Sequence, residues 1–118
     1  MPVNIKRAYE MPYRKDGYRS LVDRIWPRGR SKDEMQIDEW MKDVAPSDGL
    51  RKSFHNGELT WGEFRNGYLS ELKSHRDRLR KLARKSKEGR VTLIFSARDE
   101  KRNNAVVLKQ YLKMIGAD

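Results

Sequence analysis

The stretch RVTLIFSARDEKRNNAVVLKQYL, residues 90 to 112, holds an apolar run, a polar loop and an amphipathic segment in that order. Val91, Leu93, Ile94 and Phe95 make Arg90 to Phe95 apolar almost throughout. A strand with one wet face alternates apolar and polar residues, whereas an unbroken apolar run predicts a strand covered on both faces. Ser96 to Asn104 reads as a polar loop. Ala105 to Ile115 offers Val106, Leu108, Leu112 and Ile115 to one face of a helix, and Gly116 ends it. A doubly covered strand that leads into a helix predicts an α/β class: a mostly parallel sheet layered by helices.

The rest of the chain extends that pattern. Val3 to Tyr9 reads as a first strand, and Asp16-Gly17 closes a turn from Pro12 to Gly17. Tyr18 to Trp26 is a second strand, stopped by Pro27, which donates no ladder hydrogen bond. Ser31 to Glu34 and Thr60 to Glu63 have capping-box spacing. Ile37, Trp40, Met41 and Val44 fit a short helix over Ile37 to Val44, with a strand as the other option. Ser47 can cap a helix that carries Leu50 and Phe54. From Thr60 onward Phe64, Tyr68, Leu72, Leu79 and Leu82 recur near a period of 3.6, which predicts one long helix to about Ser86.

Length and composition bound the function. A chain of 118 residues predicts a single domain over 1–118. Apolar residues are 36% and charged residues 37%, and 27 basic against 17 acidic side chains leave +10. Such a charge favours anionic partners: nucleic acid, anionic lipid or phosphorylated metabolites. There is no cysteine, which removes disulfides, thiol catalysis and thiolate metal sites. Met1 to Lys6 lacks a signal-peptide core, and no segment approaches the roughly 20 apolar residues that cross a bilayer. A cytoplasmic protein without a membrane partner is expected. Nothing specifies a cofactor or an oligomeric state.

Two expected strands end in arginine-bearing loops, Trp26-Pro27-Arg28-Gly29-Arg30 and Ser96-Ala97-Arg98-Asp99. Ligands of open α/β sheets bind outside the carboxyl ends of the strands. The second loop also leads into a helix N-terminus, which suits an anion. Arg28 and Arg98 supply planar forks for phosphate or carboxylate, and Gly29 allows close backbone approach. Asp23 and Arg24 point to opposite faces of a strand. One of them is expected to meet the Ser96–Asp99 loop, with Asp23–Arg98 as the candidate pair, either structural or catalytic. Asp99 and Asn103 can cap the last helix, Trp26 can plug the core, and Ser96 has no base near it in sequence. His55 falls in a turn and His75 beside the apolar stripe, and no metal-ligand spacing occurs. Glu58, Glu63 and Glu71 read as solvated or capping positions.

The segment KSHRDRLRKLARKSKEGR, residues 73 to 90, is strongly basic. On a helix Arg76, Arg80 and Arg84 form one stripe, flanked by Lys73 and Lys87. Such a stripe can follow a phosphate backbone, or it can be a solvated face. Trp61 and Tyr68 have spacing that serves base stacking or the core equally well.

The motifs VDRIWPRG, DEWMKDVAPS, LRKSF, WGEFRNGYLSEL and LIFSARDEKRNNAVVLKQYL together resemble the YeaO-like proteins of domain of unknown function 488. The resemblance runs from about Arg19 to Leu112. It implies a compact α/β protein and assigns no activity. It marks Asp23, Arg24, Arg28, Ser47, Arg98, Asp99 and Asn103 as recurring polar positions. It also implies a histidine in many relatives where this chain has Asn104, so that an acid–base role there would be lost while hydrogen bonding survives.

These readings converge on an anion site at the strand ends, built from Arg24, Trp26, Arg28, Gly29, Ser47, Ser96, Arg98, Asn103 and Asn104. The expected ligand is a phosphorylated or carboxylate small molecule, or a nucleotide. A hydrolase version, acting on a phosphoester or N-glycosidic bond, would use Asp23 or Asp99 as acid or base, with a divalent metal as an option. Nucleic-acid binding through the 73–90 stripe is the alternative, and a small interaction module without a ligand is a third.

Overall fold

The computed structural model describes residues 3–117. Its centre is a four-stranded parallel sheet of β1 (Val3–Arg7), β2 (Tyr18–Leu21), β3 (Glu39–Trp40) and β4 (Val91–Phe95), in the order β1-β4-β2-β3. The helices are α1 (Lys32–Met35), α2 (Asp48–His55), α3 (Trp61–Leu72), α4 (Arg76–Glu88) and α5 (Asn104–Met114). The α/β class expected from the apolar run at residues 91–95 is what the chain adopts. No described helix is long and apolar enough to cross a membrane.

β4 is central, and all five of its residues are buried. Val91, Leu93 and Phe95 face the main core with Phe64, Tyr68, Leu72, Leu79, Leu108 and Leu112. Ile94 turns the other way and joins Leu21, Ala8 and Met35, against which Trp26 and Ile37 pack. The two faces of one strand therefore feed two separate apolar clusters. The second cluster is roofed by the connection from β2 to β3, which holds the Trp-Pro-Arg-Gly loop and little helix.

Several boundaries differ from the sequence reading. β1 ends at Arg7 and β2 at Leu21, where Tyr9 and Trp26 were expected. The ladder stops at Val22, whose N–H reaches the carbonyl of Ile94, and the chain then turns into the loop before Pro27. Ile37 to Val44 is not a helix: it contains β3 and then a single 3-10 turn, Lys42–Val44. A two-residue strand followed by a turn places Ile37 against one cluster and Met41 and Val44 in the other, which imitates helical spacing. The long helix is two helices joined by a 3-10 turn, Lys73–His75. There the Ser74 hydroxyl donates to the carbonyl of Glu71 at 2.8 Å, a back-bond that bends helices. α4 is then tied to the β3 edge by Arg78, which donates to Asp43 at 2.7 Å and Glu39 at 3.2 Å. Trp61 stacks on Phe64 and meets Phe54 at a tilt, and Tyr68 is fully buried, so both serve the core.

Candidate functional site at the strand ends

Parallel strands put their carboxyl ends on one side, and here β1, β4 and β2 deliver Arg7, Phe95 and Leu21 to it. The residues that follow, Asp23 and Ser96, meet. The Asp23 carboxylate accepts from the Ser96 N–H at 2.9 Å, from the Ser96 hydroxyl at 2.6 Å and from the Asn104 amide at 3.0 Å. The same Asn104 amide also donates to the carbonyl of Val22 at 2.9 Å. Asp23 thus joins the end of β2, the end of β4 and the first residue of α5. The expected partner loop is correct and the expected partner is not: Arg98 forms no ion pair or hydrogen bond with Asp23 among the described residues. Ser96 leaves β4 directly and offers two donors at once, whereas the Arg98 side chain, two residues further on, is exposed.

The neighbouring candidates are engaged in the same way. The Arg24 guanidinium donates to the carbonyls of Pro46 at 3.1 Å and Ala45 at 3.3 Å. Ser47 caps α2 through Leu50 N–H, while its own N–H and hydroxyl donate to the Glu71 carboxylate at 2.8 and 2.6 Å. Glu71 was read from sequence as a solvated or capping position; it is a second anchor carboxylate that fixes α2 to α3. Its signal was the spacing: it stands seven residues after Phe64 and three after Tyr68, on the stripe that faces inward. The hydroxyl of the buried Tyr68 donates to the Val44 carbonyl at 2.7 Å. Burial, with the carboxylates of Asp23 and Glu71 adding to it, pushes that hydroxyl far above its ordinary range.

The two loops are built from local contacts. The Trp26 indole N–H donates to the carbonyl of Arg30, and its ring meets Trp40 edge-on at 5.4 Å. The Trp40 indole N–H donates to the carbonyl of Asp23 at 2.7 Å. Asp99 is exposed, and its carboxylate accepts from the N–H groups of Lys101 and Arg102 at 2.9 and 3.0 Å. Those two backbone bonds hold its carboxyl below the ordinary range. Asn103 caps α5 by accepting from Val106 N–H, and its amide donates to the Asp99 carbonyl. Gly29 takes φ +77 with open space around its Cα.

Arg28 and Arg98 stand apart from all of these. Both are exposed, and among the described residues neither guanidinium has an ion-pair or hydrogen-bond partner. Their loops are tied to one place. Arg7 donates to the carbonyls of Ala97 at 2.9 Å and Ser96 at 3.2 Å, and Tyr9 donates its hydroxyl to the carbonyl of Arg28 at 3.0 Å. Among the described residues no group of three or more His, Asp and Glu side chains is placed to hold a metal ion. Elsewhere Arg76, Arg80 and Arg84 are exposed along α4 with Lys87, and Lys73 lies in the turn before it.

This geometry can be set beside known proteins. A family model described as "Inactive DUF488-N3 subclade" matches residues 2–115. The chain belongs to the YeaO-like DUF488 family. It is 41% identical over 115 residues to the uncharacterized protein YeaO of Escherichia coli (strain K12), covering 98% of this chain and all of that one. It is equally 41% identical over 112 residues to the uncharacterized protein Rv3073c of Mycobacterium tuberculosis (strain ATCC 25618 / H37Rv), across 93% of this chain and 92% of the relative. No solved structure matches. Family membership accounts for the shared motifs and assigns no ligand.

Proposed function

We propose that this DUF488 family member is a binding protein for an anionic ligand, held at the strand ends by Arg28 and Arg98, and that it does not catalyse proton transfer. One observation carries the reading. The acidic and amide candidates at this end are bonded to the protein itself, whereas the two arginines beside them are exposed and unpartnered among the described residues. A general base needs a lone pair that faces substrate. Asp23 instead spends its oxygens on Ser96 and Asn104, and Asp99 spends one of its own on two backbone N–H groups. A hydrolase acting on a phosphoester or N-glycosidic bond through Asp23 would first have to dismantle those bonds, and one acting through Asp99 would use a carboxylate already held by two backbone N–H groups. The word "inactive" in the family description points the same way. Two guanidinium forks on loops that are both tied to residues 7–9 are matched to phosphate or carboxylate oxygens.

The test is thermal stabilisation of the wild type and of Arg28→Ala and Arg98→Ala by nucleoside triphosphates, sugar phosphates and pyrophosphate. A ligand at a hundred times its Kd stabilises by about 2.7 kcal/mol. Stabilisation of the wild type that both variants lose supports the reading, and stabilisation that survives both substitutions would sink it.

A second reading has one observation in its favour. Arg78 of α4 is paired with Asp43 and Glu39, while Arg76, Arg80, Arg84 and Lys87 on the same helix are exposed without partners among the described residues. An unneutralised stripe suits duplex nucleic acid, and its mark is a salt slope that flattens when Arg76, Arg80 and Arg84 are replaced by Gln.

A further inference from the structure

We propose that the Arg28–Arg98 end continues into a base-stacking strip along residues 7–15, and that the ligand of this strip is single-stranded nucleic acid. The inference rests on the anion-binding reading for its Arg28–Arg98 end. β1 and β2 both run parallel to β4, so the chain between them must travel back from the carboxyl ends to the start of β2. Along that return path Tyr9, Met11 and Tyr13 are 43%, 71% and 57% exposed.

Neither ring is loose. The Arg7 guanidinium sits 5.2 Å from the centroid of Tyr9, and the Tyr9 hydroxyl is held by the carbonyl of Arg28. Arg7 is itself fixed by the carbonyls of Ser96 and Ala97. The Lys6 ammonium sits 4.2 Å from the centroid of Tyr13 and is locked to Asp16 at 3.0 Å. Each tyrosine therefore has a cation against its ring, itself immobilised by the sheet, and keeps a large exposed area for a planar partner. Rings fixed before binding lose little entropy on stacking, which is the arrangement that single-strand binders use.

Charge selects the partner. Beyond Tyr13, Arg14 and Lys15 are exposed and line an open hollow of about 490 Å³ with that ring. At the other end stand Arg28 and Arg98. Glu10 is the exposed carboxylate of this stretch, and it is occupied by the Arg7 N–H at 2.8 Å. Along the chain Arg28 lies at the Tyr9 end and Arg14 and Lys15 at the Tyr13 end, so two stacked bases would find cations for the phosphates on either side of them. A mononucleotide would engage one ring, and a duplex would offer no base faces.

The experiment is fluorescence anisotropy of the full chain with an oligo-dT of about ten nucleotides and with an abasic strand of the same length and charge. The dT strand is expected to bind at least about tenfold tighter than the abasic strand. The Tyr9→Ala/Tyr13→Ala double variant is expected to bind both strands alike, and Tyr9→Phe/Tyr13→Phe to keep the preference. Arg28→Ala/Arg98→Ala is expected to weaken both strands and to flatten the salt slope by roughly one unit per arginine. Equal wild-type affinity for the two strands, or binding to neither, overturns the stacking strip. In the equal case, weakening by Arg28→Ala/Arg98→Ala leaves the anion-binding reading standing. Preference for dT that is lost only in the tyrosine variants keeps the strip and overturns the role of Arg28 and Arg98. Affinity lost only when Arg76, Arg80 and Arg84 are replaced overturns the strip in favour of α4.

Discussion

Two aspartates seven residues apart in sequence have opposite surroundings. Asp16 lies on the second face of the sheet, 7% exposed. It accepts from Arg19 at 2.6 Å, from Lys6 at 3.0 Å and from the Tyr13 N–H at 2.9 Å. Asp23 lies at the strand ends and accepts only from neutral groups, Ser96 and Asn104. Around Asp16 the cations are consumed by the fold, and Arg19 also donates to the carbonyls of Met35 and Gln36. Around Asp23 the carboxylate is held by dipoles, and the nearby loop cations Arg28 and Arg98 are left to the solvent. The first arrangement holds one carboxylate between two cations within the fold and serves stability. The second leaves positive charge exposed, which is what an anion site requires.

The largest effect should come from Asp16→Asn, which strands the buried Arg19 and the half-buried Lys6. Breaking a buried pair from one side costs about 3–5 kcal/mol, and urea unfolding should show it. Glycines extend the contrast. A Cβ on Gly17, at φ +70, would lie 2.1 Å from the carbonyl oxygen of Arg90, whereas one on Gly29 would meet nothing within 4 Å. Gly17→Ala should therefore cost about 3 kcal/mol or more, and Gly29→Ala only the roughly 1–2 kcal/mol of a left-handed residue. Asp23→Asn exchanges one acceptor for a donor among neutral partners, so about 2 kcal/mol is expected. A cost as large as that of Asp16→Asn would erase the distinction between the two aspartates.

Acid tests the Asp16 arrangement. Burial works to raise the Asp16 pKa, but the Tyr13 N–H, Lys6 and Arg19 outweigh it and hold the carboxyl below its ordinary 3.8. Its folded pKa is depressed, so the stability it contributes is full above that ordinary value and is lost as pH falls through the folded one. Unfolding free energy measured from pH 6 downward should fall less steeply in Asp16→Asn than in the wild type. The smallest effect belongs to Arg98→Ala: without a partner among the described residues, it should change stability by no more than about 0.5 kcal/mol. A larger loss would mean that this arginine belongs to the fold.

The α/β class was legible because β4 is apolar on both faces, a pattern few other elements produce. The meeting of Asp23 with the loop after β4 was legible because both follow strands. The finer pairings were not. Ser96 rather than Arg98 meets Asp23 because a serine at the strand end presents both N–H and hydroxyl, and sequence does not rank a short donor above a long charged one. β3 was hidden because its two residues continue into a turn whose apolar side chains fall at helical intervals. The break at Lys73–His75 was hidden because Leu72 and Leu79, seven apart, keep the apolar stripe in phase across it. Glu71 and Ser47 lie 24 residues apart, and the helix packing that unites them has no local signature.

The strand order has a consequence for how the molecule is made. β4, the only strand that touches both β1 and β2, is the last of the four to be synthesised. Until residue 95 is available, β1 and β2 have no ladder partner between them, and the Leu21 side chain lacks Ile94 beneath it. Sheet formation therefore waits on contacts between distant parts of the chain, which slows folding relative to local hairpins or helix pairs. A nascent chain stopped before Val91 could form no more of the sheet than the two-residue β2–β3 pairing and would expose apolar surface, which makes it a natural client for chaperones.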